Sequence, residues 1–166
     1  MPRLNFVKKA RKDVPNTDIK AGESYFWWKF RHGGKHTSKT RPPRSQLTQS
    51  AYLSALYDLQ DGMGETPTAA DMEGERDNLR DELQGFLDEQ QERLDSMPDQ
   101  LRESSSSGEM LQTRIDSLEN AISELENVDC SFDPENKSEE QSAEEYEEEW
   151  REQAWSEIRD AVNGVE

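Results

Sequence analysis

Residues 24–44, SYFWWKFRHGGKHTSKTRPPR, decide the fold of the N-terminal part of this chain. Aromatic residues dominate the first half of the stretch, which is typical of a β-strand. Gly33 and Gly34 follow, and paired glycines suit a two-residue turn because a type I′ turn needs a positive φ at both central positions. The stretch therefore predicts a β-hairpin that ends at Pro42 and Pro43.

A two-residue turn also sets which side chains face each other. It pairs Arg31 with His36 and Phe30 with Thr37 across the hairpin. Because side chains alternate along a strand, one face would carry apolar rings and the other a mixture of rings and cations. The first face would comprise Phe26, Trp28, Phe30 and Thr37, and the second Tyr25, Trp27, Lys29, Arg31, His36 and Ser38.

The segments on either side of the hairpin must cover its apolar face, since a lone hairpin is only marginally stable in water. Phe6 lies in a segment that fits a short helix, which Pro15 would stop. After the hairpin, apolar residues at helical spacing predict a helix that is capped by Ser45 and ends near residue 60. Residues 1–61 are therefore predicted to form a small module of β-hairpin and helix.

Residues 66–128 carry two apolar stripes with the spacing of a coiled coil. Steps of three and four residues place each stripe along one side of a helix. The sequence SSSSG at 104–108 separates them and predicts a turn between two antiparallel helices. The stripes are Leu79, Leu83, Phe86, Gln90, Leu94, Met97 and Leu101 before the turn, and Leu111, Ile115, Leu118, Ile122 and Leu125 after it.

A third helix is predicted at 142–163, after a polar acidic linker at 129–141. Ser142 and Glu145 have the spacing of a capping box, which marks a helix start. An apolar stripe follows, with Tyr146, Trp150, Ala154 and Ile158 at intervals of four residues. The predicted fold is thus mainly α, with an N-terminal β-hairpin module, an antiparallel, coiled-coil-like helical hairpin and a C-terminal amphipathic helix.

Charge divides the chain into a basic and an acidic part. Residues 1–50 hold twelve Lys or Arg against three Asp or Glu, and the remainder holds eight against thirty-four, for a net charge of −17. Such a split favours one end that meets an anion and another that repels anions, or two halves that attract each other. With 31% hydrophobic and 34% charged residues, a large globular core is not expected.

Composition excludes or disfavours several classes of protein. Cys130 is the only cysteine, so the chain can build neither a disulfide framework nor a cysteine-based zinc site. No apolar run approaches the roughly 20 residues of a membrane span, and the N-terminus lacks the apolar centre of a signal peptide. These features predict a cytoplasmic protein, in the host cytoplasm if it is viral, with no membrane partner.

Flat aromatic rings beside cations predict contact with nucleic acid or with an acidic protein. Cations bind phosphates and rings stack on unpaired bases. In the alternative interpretation, the rings are core residues and the cations are simply solvated. The candidate contact residues are Lys8, Lys9, Arg11, Lys12, Tyr25, Trp27, Lys29, Arg31, His36, Arg41 and Arg44.

No pattern of catalytic or metal-binding residues is present in the sequence. His32 and His36 have the H-x-x-x-H spacing of some metal sites, but on a hairpin they lie across the turn and point to opposite faces. The glutamates at 147–149 are expected on a solvated helix face, where nothing desolvates them and no nucleophile is near. The chain has no Gly-rich phosphate loop and no nucleophile motif. We expect a non-enzymatic protein with no cofactor and no metal.

The order of the N-terminal motifs resembles a known family. VKKARKD at 7–13 followed by IKAGESYFWWKFRHGGKH at 19–36 is similar to zinc modules of the poly(ADP-ribose) polymerase zinc-finger type. With RPPRSQLTQS at 41–50, it also resembles a group of small bacteriophage proteins. The matching positions are Ile19, Gly22, Tyr25, Trp27 and Trp28. Residues 13–17 hold no cysteine and His36 is the one possible ligand left, so the resemblance implies a phage-type, metal-free descendant of a zinc module that is held together by aromatic packing.

The acidic helical arm allows two further interpretations. It could bind a host protein or self-associate into a homodimer, with Tyr146, Trp150, Trp155 and Ile158 as candidate contacts. Its carboxylates could instead imitate DNA, which would make the protein an inhibitor of a host defence or DNA-processing enzyme. A structural virion component is a third class, and acidity that serves only solubility is the simplest alternative.

Overall fold

Within residues 1–138 and 141–165, which the structure describes, the computed structural model contains five α-helices and one three-stranded antiparallel sheet. The chain divides into an N-terminal unit, Met1–Gly62, and a C-terminal unit, Met63–Glu166. The protein is therefore mainly helical with a small N-terminal sheet, which confirms the predicted class. Glu139 and Glu140 of the predicted acidic linker lie outside the described residues.

Three short strands form the sheet in the order β1-β2-β3. They are β1 (Asn5–Val7), β2 (Tyr25–Lys29) and β3 (Lys35–Ser38). The short helix predicted near the N-terminus is wrong, because Phe6 lies in β1 directly opposite Phe26, with ring centroids 4.8 Å apart. A third strand gives the aromatic strand β2 a second ladder of backbone hydrogen bonds, which an isolated hairpin lacks.

The turn of the hairpin is longer than predicted. Trp28 pairs with His36, so that residues 30–34 form a five-residue loop. Of the two glycines, only Gly33 has a positive φ, of 128°, whereas the predicted type I′ turn needs two such residues.

This longer loop moves the register by three residues and exchanges the two faces of β3. Residues directly opposite each other share a face, and a shift by an odd number of residues inverts every side chain. His36 therefore lies on the face of Trp28, where its ring stacks on the indole at 5.4 Å between centroids and 15° between planes. The predicted place of His36 beside Trp27 is wrong. Thr37 lies opposite Trp27 instead.

The helix of the N-terminal unit, α1, spans Ala51–Gly62, after a 3₁₀-helix at Arg44–Leu47. Ser50 rather than Ser45 caps α1, since Ser50 Oγ accepts a hydrogen bond from the backbone N–H of Leu53 at 3.3 Å. The buried hydrophobic residues of this unit are Ala10, Ile19, Trp28, Tyr52 and Leu56.

In its described residues, the C-terminal unit holds four α-helices and a 3₁₀-helix at Pro134–Asn136. The helices are α2 (Met72–Asp95), α3 (Asp99–Ser104), α4 (Ser106–Asn127) and α5 (Ala143–Asn163). Helices α2 and α4 pack against each other, and α5 packs against both.

Contacts at both ends show that α2 and α4 are antiparallel. At one end, Arg76 Nη1 donates a hydrogen bond to the carbonyl oxygen of Val128 at 3.2 Å. At the other end, Leu94 packs with Leu111 and Ile115. The buried residues of these two helices are Met72, Leu79, Leu83, Gln90, Leu94, Gly108, Leu111, Ile115, Leu118, Ala121 and Leu125. Gln90 is fully buried, and its amide group has no hydrogen-bond partner among the described residues.

Most residues of the predicted stripes are buried, but Phe86 and Met97 of the first stripe are only partly so. Leu101 is 50% exposed rather than part of the seam. Pro98 stands before the separate short helix α3, so the heptad spacing of α2 does not continue to Leu101. In α4, Ala121 is buried and Ile122 only partly so, which differs from the predicted stripe at this point.

Helix α5 begins at the predicted capping box. Glu145 N–H donates to Ser142 Oγ at 3.2 Å, and Ser142 N–H donates to Glu145 Oε2 at 3.1 Å. Farther along the helix, Arg151 Nε donates to the carbonyl oxygen of Pro67 at 2.6 Å and Arg151 Nη2 to that of Thr66 at 3.0 Å. These two bonds attach the segment before α2 to α5. The buried residues of α5 are Ala154, Trp155, Ile158, Ala161 and Val162.

Gly108 permits the sharp corner between α3 and α4. Its N–H donates to Ser105 Oγ at 3.1 Å, which caps α4. A Cβ atom at position 108 would overlap the carbonyl oxygen of Arg102, which is backbone and cannot move aside by itself. In contrast, a Cβ at Gly85 in α2 would meet nothing within 4 Å.

Replacing each of these two glycines by alanine should change the free energy of unfolding in opposite directions. Gly85→Ala should raise the free energy of unfolding by about 0.5–1 kcal/mol, because alanine is the better helix former. Gly108→Ala should lower it by about 1–3 kcal/mol, because the methyl group forces the corner apart. Urea denaturation followed by far-ultraviolet circular dichroism measures both, and a stabilising Gly108→Ala would contradict this corner geometry.

Candidate nucleic-acid interface

One face of the sheet combines aromatic rings and lysines. Tyr25, Trp27 and Lys29 alternate with the residues of the other face along β2, and Lys35 of β3 lies directly opposite Lys29. We call Tyr25, Trp27, Lys29 and Lys35 the basic aromatic face. Both rings are partly buried and both lysines are exposed.

Lys35 makes the closest contact of this face. Its Nζ lies 4.5 Å from the ring centroid of Trp27 and 5.7 Å from that of Tyr25, within cation–π range. Sequence reasoning missed Lys35 because the two-residue turn paired it with His32 instead. The side-chain alternation of β2 was a sufficient signal for Tyr25, Trp27 and Lys29, but the loop length was not readable from the two glycines.

Most of the remaining cations of the N-terminal unit are unpaired. Three of its twelve Lys and Arg form ion pairs: Lys20 with Asp13, Lys39 with Glu23 and Arg44 with Asp61. The other nine have no acidic partner among the described residues: Arg3, Lys8, Lys9, Arg11, Lys12, Lys29, Arg31, Lys35 and Arg41. All nine are exposed. The unit therefore carries nine exposed cations whose charge no described carboxylate compensates. Exposed cations clustered in this way attract anions.

Two of the predicted contact residues, Arg44 and His36, already have partners within the unit. Arg44 Nη2 lies 2.7 Å from Asp61 Oδ1, and its guanidinium covers the ring of Tyr57 at 4.9 Å, so its charge is already compensated within the unit. His36 lies on the opposite face, stacked on Trp28. His36 and Trp27 therefore lie on opposite faces of the sheet rather than on one shared face.

Polar contacts hold the loop between β1 and β2 in place. Asp13 Oδ1 accepts a hydrogen bond from the N–H of Ala21 at 2.8 Å, and Asp13 Oδ2 lies 3.3 Å from Lys20 Nζ. Glu23 Oε2 accepts from the N–H of Lys20 at 2.6 Å and Glu23 Oε1 pairs with Lys39 at 3.0 Å.

These contacts shift both carboxyl groups in the same direction. The backbone hydrogen bond from Ala21, helped by Lys20, lowers the pKa of Asp13. The backbone hydrogen bond from Lys20, helped by Lys39, lowers the pKa of Glu23. Both carboxylates are therefore ionised at neutral pH and hold the loop as hydrogen-bond acceptors.

The described part of the chain has one thiol, and its carboxylates and histidines form no metal-binding cluster. No group of three His, Cys, Asp or Glu that could hold a metal ion occurs within residues 1–138 and 141–165. Burial is the main cause that raises the pKa of the Cys130 thiol, so this group is protonated at neutral pH. A protonated thiol is a poor nucleophile.

A second aromatic cluster lies in the C-terminal unit. The ring of Phe132 lies 5.6 Å from that of Tyr146 and 5.2 Å from that of Trp150, measured between centroids. All three residues are partly buried, and sequence reasoning missed Phe132 because it stands alone in the linker. Trp155 and Ile158, two of the predicted partner contacts, are only 3% and 0% exposed and belong to the buried core of this unit.

Comparison of the chain with known protein families, with curated proteins and with solved structures finds no match. The resemblance to a zinc module and to phage proteins therefore stays a prediction. Among the described residues, no helix is both long enough and apolar enough to cross a membrane.

The loop contacts predict a specific pH dependence. In the full chain, the backbone N–H of Ala21 donates a hydrogen bond to Asp13, so its NMR signal should follow the titration of that carboxyl group. The pKa that the signal reports should lie below the usual aspartate value. A carboxyl group whose folded pKa is lowered stabilises the fold above its unfolded pKa. That stability is lost as the pH falls through the folded pKa. Two-dimensional ¹H–¹⁵N NMR between about pH 2 and about pH 6 follows this titration.

Asp13→Asn should abolish the titration of the Ala21 amide and leave that of the Lys20 amide, which donates to Glu23. Asp18→Asn is the matched control for charge in the same loop and should leave both titrations unchanged. An Ala21 titration that survives Asp13→Asn would show that the bond to Asp13 does not form.

Proposed function

We propose that the protein is a non-enzymatic nucleic-acid-binding protein that takes single strands on the basic aromatic face. The observation that supports this proposal is the position of Lys35 over Trp27 and Tyr25, with Lys29 beside them on the same face. Rings that stack on bases and ammonium groups that contact phosphates are the two components of single-strand recognition.

The chemistry of the face favours single strands over a duplex. The bases of a duplex are stacked on each other, so its outer surface offers phosphates but no free base planes to Trp27 and Tyr25. An extended single strand presents both along its length. The free cations at 8–12, which follow β1, and Arg41 would then contact the phosphates on either side.

The C-terminal unit has the opposite charge and, in this proposal, a separate role. It carries eight Lys or Arg against thirty-two Asp or Glu, a balance of −24. Such a unit repels nucleic acid, which confines binding to the N-terminal unit. Its coiled-coil-like hairpin and the partly buried Tyr146 and Trp150 would form an arm that binds a partner. If the protein is of phage type, that partner would be a protein of the host cytoplasm; otherwise it would be a second copy of the chain.

Mimicry of DNA by the C-terminal unit is the second candidate. One observation favours it: among the described residues, four of the eight cations of this unit donate to backbone carbonyl oxygens rather than to carboxylates, namely Arg102, Lys137, Arg151 and Arg159. More carboxylates are thus left uncompensated than a count of charges suggests. The protein would then inhibit an enzyme of host defence or DNA processing by occupying its DNA-binding groove.

Binding of labelled oligonucleotides to the full chain tests the first proposal. Oligothymidylate and oligouridylate of about 12 nucleotides should bind more tightly than a duplex of equal length, and log K should fall linearly with log salt concentration. Trp27→Ala should weaken binding about 5- to 150-fold, which corresponds to about 1–3 kcal/mol for one stacked base. Fluorescence anisotropy measures both effects.

Phe6→Ala is the matched control, since Phe6 is an aromatic residue of the same sheet that is 54% exposed on the opposite face. It should leave the affinity unchanged. Poly-glutamate serves as the acidic-protein probe, and a chain that binds it as tightly as oligothymidylate would indicate a protein partner. Equal binding by the wild type and Trp27→Ala would contradict the assigned face.

The mimicry candidate predicts that the full chain displaces duplex DNA from a DNA-binding enzyme and that Trp27→Ala does so equally well. Recovery of DNA-binding enzymes from a host lysate identifies the enzyme to use. Light scattering on the full chain separates an arm that self-associates, with twice the monomer mass, from one that does not.

A further inference from the structure

Lys35 occupies the position above Trp27 that a stacked base would need. Its Nζ lies 4.5 Å from the centroid of the indole ring. A nucleobase stacks at van der Waals distance over the same area of the ring, so the ammonium group and a base cannot both lie there. Any binding by stacking on Trp27 therefore requires Lys35 to move.

Little else in the described residues holds the Lys35 side chain in place. The side chain is exposed and has no carboxylate partner there, and its second ring contact, with Tyr25, is longer, at 5.7 Å. Stacking of a base on an aromatic side chain is generally stronger than an exposed cation–π contact. A base can therefore displace the ammonium group from the ring.

The displaced ammonium group has a natural acceptor in the nucleotide that displaces it. Lysine is a compact point charge on a flexible four-carbon stem, and it binds phosphate without a fixed geometry. The phosphates of a strand that crosses the sheet lie beside the stacked base. The charge that leaves the ring thus gains a stronger partner.

We propose that Lys35 is a displaceable cap on Trp27: it covers the ring in the free protein and moves to a backbone phosphate when a base of a single strand stacks on the indole. This inference rests on the proposed function and adds the exchange at its binding site. Lys35 then has two opposed effects, since it competes with the base for the ring and attracts the phosphate.

Lys29 provides an internal control for this exchange. It lies directly opposite Lys35 on the same face, it is exposed, and it has no ring contact among the described residues. A lysine that only attracts phosphates should behave like Lys29. A lysine that also caps the ring should differ from it at high salt concentration, where phosphate contacts are weak.

The first test compares Lys35→Gln and Lys29→Gln in the full chain with oligothymidylate. Each variant should reduce the slope of log K against log salt by about 0.7, the value for one phosphate contact with a single strand. At about 50 mM salt both should bind more weakly than the wild type. At about 500 mM salt, Lys35→Gln should bind more tightly than the wild type, because the ring is uncovered, and Lys29→Gln should not. Identical salt curves for the two variants would overturn the inference.

NMR of the Lys35 side chain gives the second readout, which does not depend on a variant. In the free protein the ring current of Trp27 should shift the ε-methylene protons of Lys35 upfield. Oligothymidylate or oligouridylate should return them to the position of an exposed lysine, whereas inorganic polyphosphate, which has charge but no bases, should not. Binding with the upfield shift retained would refute the cap and leave the proposed function intact. Absence of binding to either oligonucleotide would refute both.

Discussion

The stacked pair of Trp28 and His36 is the contact on which the N-terminal unit depends. Because the two residues lie directly opposite each other, their stacking selects one register of β2 and β3 and so determines which face every residue of β3 occupies. Phe30 completes the contact by meeting the ring of His36 edge-on at 5.4 Å. The same register carries Lys35 to the ring of Trp27 on the other face. A packing contact on one side of the sheet thus creates the candidate binding surface on the other.

Hydrogen bonds to the backbone, rather than ion pairs, attach the segment before α2 to helix α5. Exposed ion pairs contribute about 0–1 kcal/mol each, and the pair of Arg93 with Glu89 on α2 is of this kind. Arg151 and Arg159 instead donate to the carbonyl oxygens of Thr66, Pro67 and Gly64. A hydrogen bond that involves a charged group contributes about 1.5–3 kcal/mol. The strongly acidic unit therefore uses several of its few cations as structural links.

Sequence periodicity predicted the helices well, because burial on one side of a helix leaves a pattern over many residues. The antiparallel pair α2 and α4, the capping box at Ser142 and the strand character of β2 all follow from local chemistry. The sequence could not predict the features that depend on pairing between strands that are distant in sequence. The strand β1 forms by pairing with β2, which nothing within β1 itself indicates. The two glycines also suit a two-residue turn, so the five-residue loop could not be predicted from them. Lys35 contacts Trp27 only in the register that this loop produces.

The link between Arg151 and the segment at Thr66 and Pro67 also bears on the order in which the C-terminal unit folds. These partners are 84 and 85 residues apart in sequence, whereas α2 and α4 are joined by a short corner. Closing a longer loop costs more conformational entropy, and non-local contacts generally form later. We therefore expect the pair α2 and α4 to assemble first, with part of its apolar surface still exposed to water. Helix α5 and its arginines would complete the unit last, which pulse-labelled hydrogen exchange during refolding would detect as late protection of α5.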